Sequence, residues 1–162
     1  MNATASSPQR QKPPSELMRF LVFLLGTQEF AIDILMVREI VARMPITRVP
    51  GLPAYVRGVS NLRGQIIPVM DLRLRLGMPP ASGQSERCVV VIASGGKQLG
   101  LAVDLVQEVV CMAASEIETM PPMGSEVPTE MLGGIDRCEG RVRFILESSR
   151  LFLRSEEREI DG

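Results

Sequence analysis

The chain has 162 residues, of which 45% are apolar and 23% charged, and its formal net charge is -1 at pH 7. That balance suits a globular protein with one core or two small linked ones, and it lacks the basic surplus of a general nucleic-acid binder. Aromatic residues make up 4%, with no Trp and one Tyr, so base-stacking platforms are poorly supplied, and the absence of His removes the commonest member of general-base triads and most zinc sites.

The start MNATASSPQRQKPP carries no apolar run behind its charges, as a secretory signal would. Residues 1–16, rich in Ser, Pro, Gln and Thr, are expected to be a disordered tail. Order is expected from about residue 17. The apolar stretch Phe20–Leu25 is far too short to cross a bilayer and reads as a strand ending at Gly26, followed by polar Thr27, Gln28 and Glu29. The next run, Phe30–Val37, alternates through Phe30, Ile32 and Ile34, so strand, turn, strand is the economical reading. Arg38–Arg43 is expected to continue as a bent strand, and Pro45, Pro50, Gly51 and Pro53 break the next stretch into a loop.

From Gly58 to Arg73 the chain reads GVSNLRGQIIPVMDLR. Asn and Gly tolerate left-handed backbone angles, so Asn61 to Gly64 is expected to reverse the chain. The run QIIPVM is long enough for a strand. Pro68 in its middle cannot donate to a ladder, which places that strand at a sheet edge or on a bulge. Asp71 supplies an N-cap for a short helical turn ending at Gly77.

After Arg87 the same grammar returns in CVVVIASGGKQLGLAVDLVQEVV. An offset of 69 puts Gly26 on Gly95, Phe30 on Leu99, Ile32 on Leu101, Glu39 on Glu108 and Val41 on Val110. An offset of 76 puts Gly58 on Gly134, Gly64 on Gly140 and Asp71 on Glu147. The larger offset fits a longer second-copy loop over Thr119–Pro128. Coincident glycines and acids argue for an internal duplication, with β-rich units over about 17–84 and 85–153 and a charged tail over 154–162.

Few residues are arranged for chemistry. Asp33, Glu39, Asp71 and Asp104 have no spacing that enforces proximity, so strand-face and capping roles are favoured over acid/base catalysis. Cys88, Cys111 and Cys138 are odd in number and contain no C-x-x-C pair, which fits reduced cytoplasmic thiols without an activating neighbour. Gly95-Gly96-Lys97 lacks the Ser or Thr and the helix of a phosphate loop, and reads as a hairpin turn. No catalytic, cofactor-binding or metal-binding residue is assigned. Arg63, on a tight turn beside a strand expected at an edge, reads instead as a docking device. Exposed apolar surface next to an unpaired strand suits a protein partner better than a small substrate.

The pattern GVxNLRGxIxPVxDLR resembles the signature of the CheW family of chemotaxis coupling proteins and of the related domain of the kinase CheA. The upstream run FLLGTQEFAIDILMVREI (Phe23–Ile40) resembles that family's first strand pair, and Thr47, Pro50 and Pro53 fall on its T-x-[VI]-P-x-x-P segment. The resemblance spans Phe20 to about Leu153. It implies an all-β fold over 17–153, built as two pseudo-symmetric, SH3-like, five-stranded barrels with a groove between them. It further implies a cytoplasmic, non-enzymatic adaptor joining a CheA-type histidine kinase to the cytoplasmic tip of a chemoreceptor, without nucleic acid, cofactor or membrane insertion. The protein-binding residues it implies are Val37, Glu39, Gly58, Asn61, Arg63, Gly64 and Ile66. Glu39 and Arg63 are expected near each other, as a docking pair or as a structural salt bridge. Val37 is either a groove residue or a core valine. Glu147 stands where the family more often has Asp, which bears on closure of the second barrel. Two other readings remain open: the same adaptor in a non-flagellar pathway, and a β-barrel with a deep pocket for a small ligand.

Overall fold

The computed structural model describes residues 17–81, 88–121 and 129–152. The expected tails over 1–16 and 154–162, and most of the loop expected over Thr119–Pro128, lie outside those residues.

Among the described residues ten strands form two five-stranded sheets. In chain order they are β1 (Leu17–Leu25), β2 (Gln28–Asp33), β3 (Val37–Ala42), β4 (Val56–Leu62), β5 (Gln65–Asp71), β6 (Cys88–Ser94), β7 (Lys97–Val103), β8 (Leu105–Ala113), β9 (Leu132–Cys138) and β10 (Arg141–Leu146). One sheet has the order β8-β1-β2-β10-β9 and the other β3-β6-β7-β5-β4. Replacing each strand by its counterpart in the other repeat converts the first order into the second. The bulges repeat as well: Arg38 on β3 answers Gln107 on β8, and Arg57 on β4 answers Gly133 on β9. The duplication expected from coincident glycines is therefore built into the pairing.

The sheets do not follow the sequence halves. β1 and β2 leave the first repeat to join β8, β9 and β10, while β6 and β7 join β3, β4 and β5. A division near residue 84 separates the repeats, and both sheets cut across it. The cause is the parallel pairing of β2 with β10 and of β5 with β7, long-range contacts that no local pattern encodes. The chain crosses between sheets twice. The first crossing is a 3₁₀ turn, Ile34–Met36, where Asp33 accepts the Leu35 N–H at 2.9 Å. That side-chain bond competes with the ladder and interrupts the strand expected over Phe30–Val37. The second crossing is the single residue Asp104.

β5 lies inside its sheet, between β7 and β4, so the edge position expected from Pro68 is corrected. Pro68 faces Val59, whose N–H and C=O both bond to Thr47, and pairing with β7 starts only at Val69. The missing N–H thus falls where neither neighbour needs a donor. Asp71 does cap the helical turn α1 (Leu72–Arg75), accepting the Leu74 N–H at 3.2 Å.

Bridges beyond the strands bring the edges of each sheet together. Thr47, downstream of β3, exchanges hydrogen bonds of 2.8 and 2.9 Å with Val59 on β4, and Glu118 does the same with Ile135 on β9 at 2.8 Å. Gly58 sits against the first bridge at φ 150°, where a Cβ would lie 2.1 Å from the Thr47 carbonyl oxygen. Gly134 repeats the arrangement, with a Cβ 2.4 Å from Ile117 Cγ2.

β1 and β6 are continuous apolar runs because both of their faces are covered. Leu21, Phe23, Val90 and Ile92 meet in the core between the sheets with Phe30, Met70 and Leu101. Phe20 and Val22 turn to a cluster with Ala31, Met112 and Ile145, and Val89 and Val91 turn to one with Ile67 and Val69. Burying one such side chain contributes ~1.5–3 kcal/mol, so the core between the sheets is the main cohesive element.

Candidate functional site

The β4–β5 hairpin turns through Arg63 at φ 54° and Gly64 at φ 85°. Two successive left-handed residues twist a two-residue loop in the sense that flanking strands need. The left-handed residue is thus Arg63, where the sequence pattern pointed to Asn61. Asn61 stays in β4 and its Oδ1 accepts the Gly64 N–H at 2.9 Å, which holds the turn. A non-glycine residue in this region is strained by ~1 kcal/mol, and the reversal aims the Arg63 side chain back across the sheet.

Glu39 lies on β3, at the opposite edge of the same sheet. Its Oε1 accepts from Arg63 Nη2 at 2.8 Å and from Nε at 3.3 Å. The expected pair exists, and it spans the seam between the two edges. The Arg63 side chain is 78% exposed and that of Glu39 25%, so solvent screens the pair to ~1 kcal/mol or less. Its geometry matters more than its strength.

Two contiguous depressions flank the pair. One, of about 390 Å³, is lined by Arg38, Glu39, Leu62, Arg63 and Gln65. The other, of about 360 Å³, is lined by Ile66, Pro68, Lys97, Leu99 and Phe152, so the end of the second repeat walls it against the hairpin of the first. Gln65 accepts a hydrogen bond from Gln98 on their shared rim. Ile66 is 62% exposed, pointing away from its buried neighbour Ile67.

Glu39, Arg63 and Ile66 are thus brought together. Val37, Gly58, Asn61 and Gly64 line neither depression. Gly58 is buried, and its role is to let Thr47 approach. Val37 is half-buried against the core between the sheets. The apolar residues that are open lie beside it: Leu35 is 86% exposed and Ile40 46%. Alternation along a strand places Ile34 inward and says nothing of Leu35, because it does not anticipate the 3₁₀ turn. No helix among the described residues is long and apolar enough to cross a membrane.

The other sheet carries a group that sequence spacing did not predict. Arg143 is buried, and its Nε and Nη1 donate to Glu29 Oε1 at 2.9 Å and to Asp136 Oδ2 at 3.0 Å. Arg141 Nη1 also reaches Glu29, at 3.0 Å. Burial alone lowers the Arg143 pKa, but the hydrogen bonds it donates to Asp136 and Glu29 outweigh it, and the guanidinium is held more firmly charged than usual. Only the parallel register of Arg143 with Glu29 brings these residues together. A cleft of about 710 Å³ opens over this group, lined also by Glu108, Cys111 and Cys138. Burial raises the Cys88 thiol pKa, with the Asp104 charge adding to it and a backbone hydrogen bond from Val106 opposing.

The CheW-like domain profile matches residues 19–156. Chemotaxis protein CheW of Klebsiella aerogenes is 36% identical over 138 residues, covering 85% of this chain and 82% of that protein. Chemotaxis protein CheW of Bacillus subtilis is 38% identical over 132 residues, covering 81% of this chain and 84% of its own. Among solved structures, the scaffolding protein TtCheW of Thermoanaerobacter tengcongensis superposes with a TM-score of 0.73 at 32% identity, over 80% of this chain and 88% of that one.

Proposed function

The chain belongs to the CheW-like domain family, and we propose that it is a non-enzymatic scaffold of chemotaxis signalling that joins a CheA-type histidine kinase to the cytoplasmic tip of a chemoreceptor. The seam of the β3–β6–β7–β5–β4 sheet carries this reading: the Glu39–Arg63 pair, beside the depression that exposed Ile66 lines, is a mixed polar and apolar surface of the kind that docks a protein. One sheet offers its edge to the kinase's related domain. The groove between the sheets takes the apolar face of the receptor's helical hairpin. The protein acts in the cytoplasm and reaches the membrane through its partners. Each contact is modest, and both together gain strength from multivalency.

Titration of the purified protein with a CheA-type regulatory domain, and separately with a receptor-tip fragment, tests this. Both are expected to bind. Arg63→Glu is expected to weaken receptor binding and receptor-dependent kinase activation at least tenfold, with the β-sheet circular dichroism unchanged. Failure of the parent protein to bind either partner would overturn the proposal.

A further inference from the structure

The two chain crossings that join the sheets are equivalent positions of the repeat, since the offset of 69 puts Leu35 on Asp104. They are built differently. Leu35 is almost fully exposed, whereas Asp104 is buried and tied on three sides. Asp104 Oδ2 accepts the Gly26 N–H at 2.6 Å and Arg73 Nη2 at 2.5 Å, and Oδ1 accepts Arg73 Nε at 3.4 Å. The Asp104 N–H donates to the Leu24 carbonyl at 3.1 Å. Leu24 and Gly26 belong to β1 and its turn in one sheet. Arg73 belongs to α1, at the end of β5 in the other, and its Nη1 also donates to the Pro79 carbonyl at 3.3 Å.

Most of the remaining contact between the sheets is the apolar core, which is cohesive but non-directional. The ion pairs Glu39–Arg63, Glu29–Arg143 and Asp136–Arg143 each stay within one sheet. A fork of charged hydrogen bonds has a fixed geometry, so Asp104 with Arg73 supplies orientation where the core supplies adhesion. That orientation sets the distance from Phe152, downstream of β10, to Ile66 and Pro68 on β5, the two walls of the 360 Å³ depression.

We propose that Asp104 and Arg73 are positioning residues for partner docking: their pair sets the angle between the sheets and so the shape of the groove. This rests on the function proposed above, in which the receptor hairpin meets both sheets and the kinase domain meets one. Loss of the pair therefore separates the two affinities.

The test uses isotope-labelled full-length Arg73→Met, Arg73→Lys and Asp104→Asn, with residual dipolar couplings and calorimetric titrations. For Arg73→Met, the couplings of the two sheets are expected to fit a changed relative orientation or to need separate alignments. Receptor-tip affinity is expected to fall about tenfold while kinase-domain affinity stays within about twofold, and Arg73→Lys restores part of the loss. Unchanged orientation in the folded variant, or an equal loss towards both partners, overturns the proposal. If Arg73→Met does not fold, Arg73→Lys and Asp104→Asn decide by the same two readouts. If the parent protein binds neither partner, the assigned function fails, and the couplings still report on the pair.

Discussion

Arg143 offers a direct test of how the duplicated interior is held together. Its counterpart in the other sheet is Ile67, that of Asp136 is Ser60 and that of Glu29 is Gln98. The same backbone thus accommodates uncharged side chains on one side, one apolar and two polar, and a buried ion group on the other. Arg143→Ile alone leaves Asp136 buried without the cation 3.0 Å away, and leaves Glu29 with only the exposed Arg141 in place of the buried guanidinium at 2.9 Å. Removing one member of a buried pair costs ~3–5 kcal/mol. For a domain of this size that lowers Tm by about 10–15 °C. The triple variant Glu29→Gln, Asp136→Ser, Arg143→Ile copies the uncharged side and removes all three buried charges. It is expected within ~1 kcal/mol of the parent, since a buried ion group and a packed apolar one are often equivalent in free energy. Urea and thermal unfolding followed by circular dichroism give both numbers. A single variant that melts with the parent, or a triple variant as unstable as the single, would refute this account of the cluster.

Gly58→Ala is expected to destabilise by ~2–3 kcal/mol or to prevent folding, because its Cβ would overlap the Thr47 carbonyl at 2.1 Å; partner affinity measured on the folded fraction should be nearly unchanged. Val37→Asp should lower stability by ~1–3 kcal/mol in urea unfolding, since the half-buried valine packs on the core between the sheets. The exposed Ile40→Asp is expected to leave stability within ~0.5 kcal/mol. At pH 7–8 a maleimide should label exposed Cys111 well before Cys88, whose raised pKa leaves less thiolate, and peptide mass spectrometry will give the order.

Local patterns made the strands and turns legible. Gly26, Gly64, Gly95 and Gly140 fall on left-handed turn positions, and the glycine and acid coincidences predicted the repeat. Glu39 and Arg63 were legible as a pair only through the family signature, because 24 residues separate them. What stayed hidden was set by long-range pairing. Nothing near Pro68 reveals that Val59 bonds elsewhere, and nothing near Glu29 announces Arg143, 114 residues away. Likewise the sequence left Val37 between a groove residue and a core valine, and the structure half-buries it against the core between the sheets.

The duplication gives the two seams one backbone pattern and different charges. Glu39 and Arg63 occupy positions whose counterparts are Glu108 and Glu139. In one sheet the two positions attract and bridge the seam beside a depression of about 390 Å³. In the other both positions are acidic, the cleft they line is larger at about 710 Å³, and Glu108 lies 4.0 Å from the buried Arg143 that already serves two acids. Backbone pairing is shared, so the difference resides entirely in side-chain chemistry. A scaffold that holds two unlike partners needs two unlike faces on one rigid frame. Duplicating a five-strand unit whose copies exchange strands, with different charges along one seam, supplies them without a second fold.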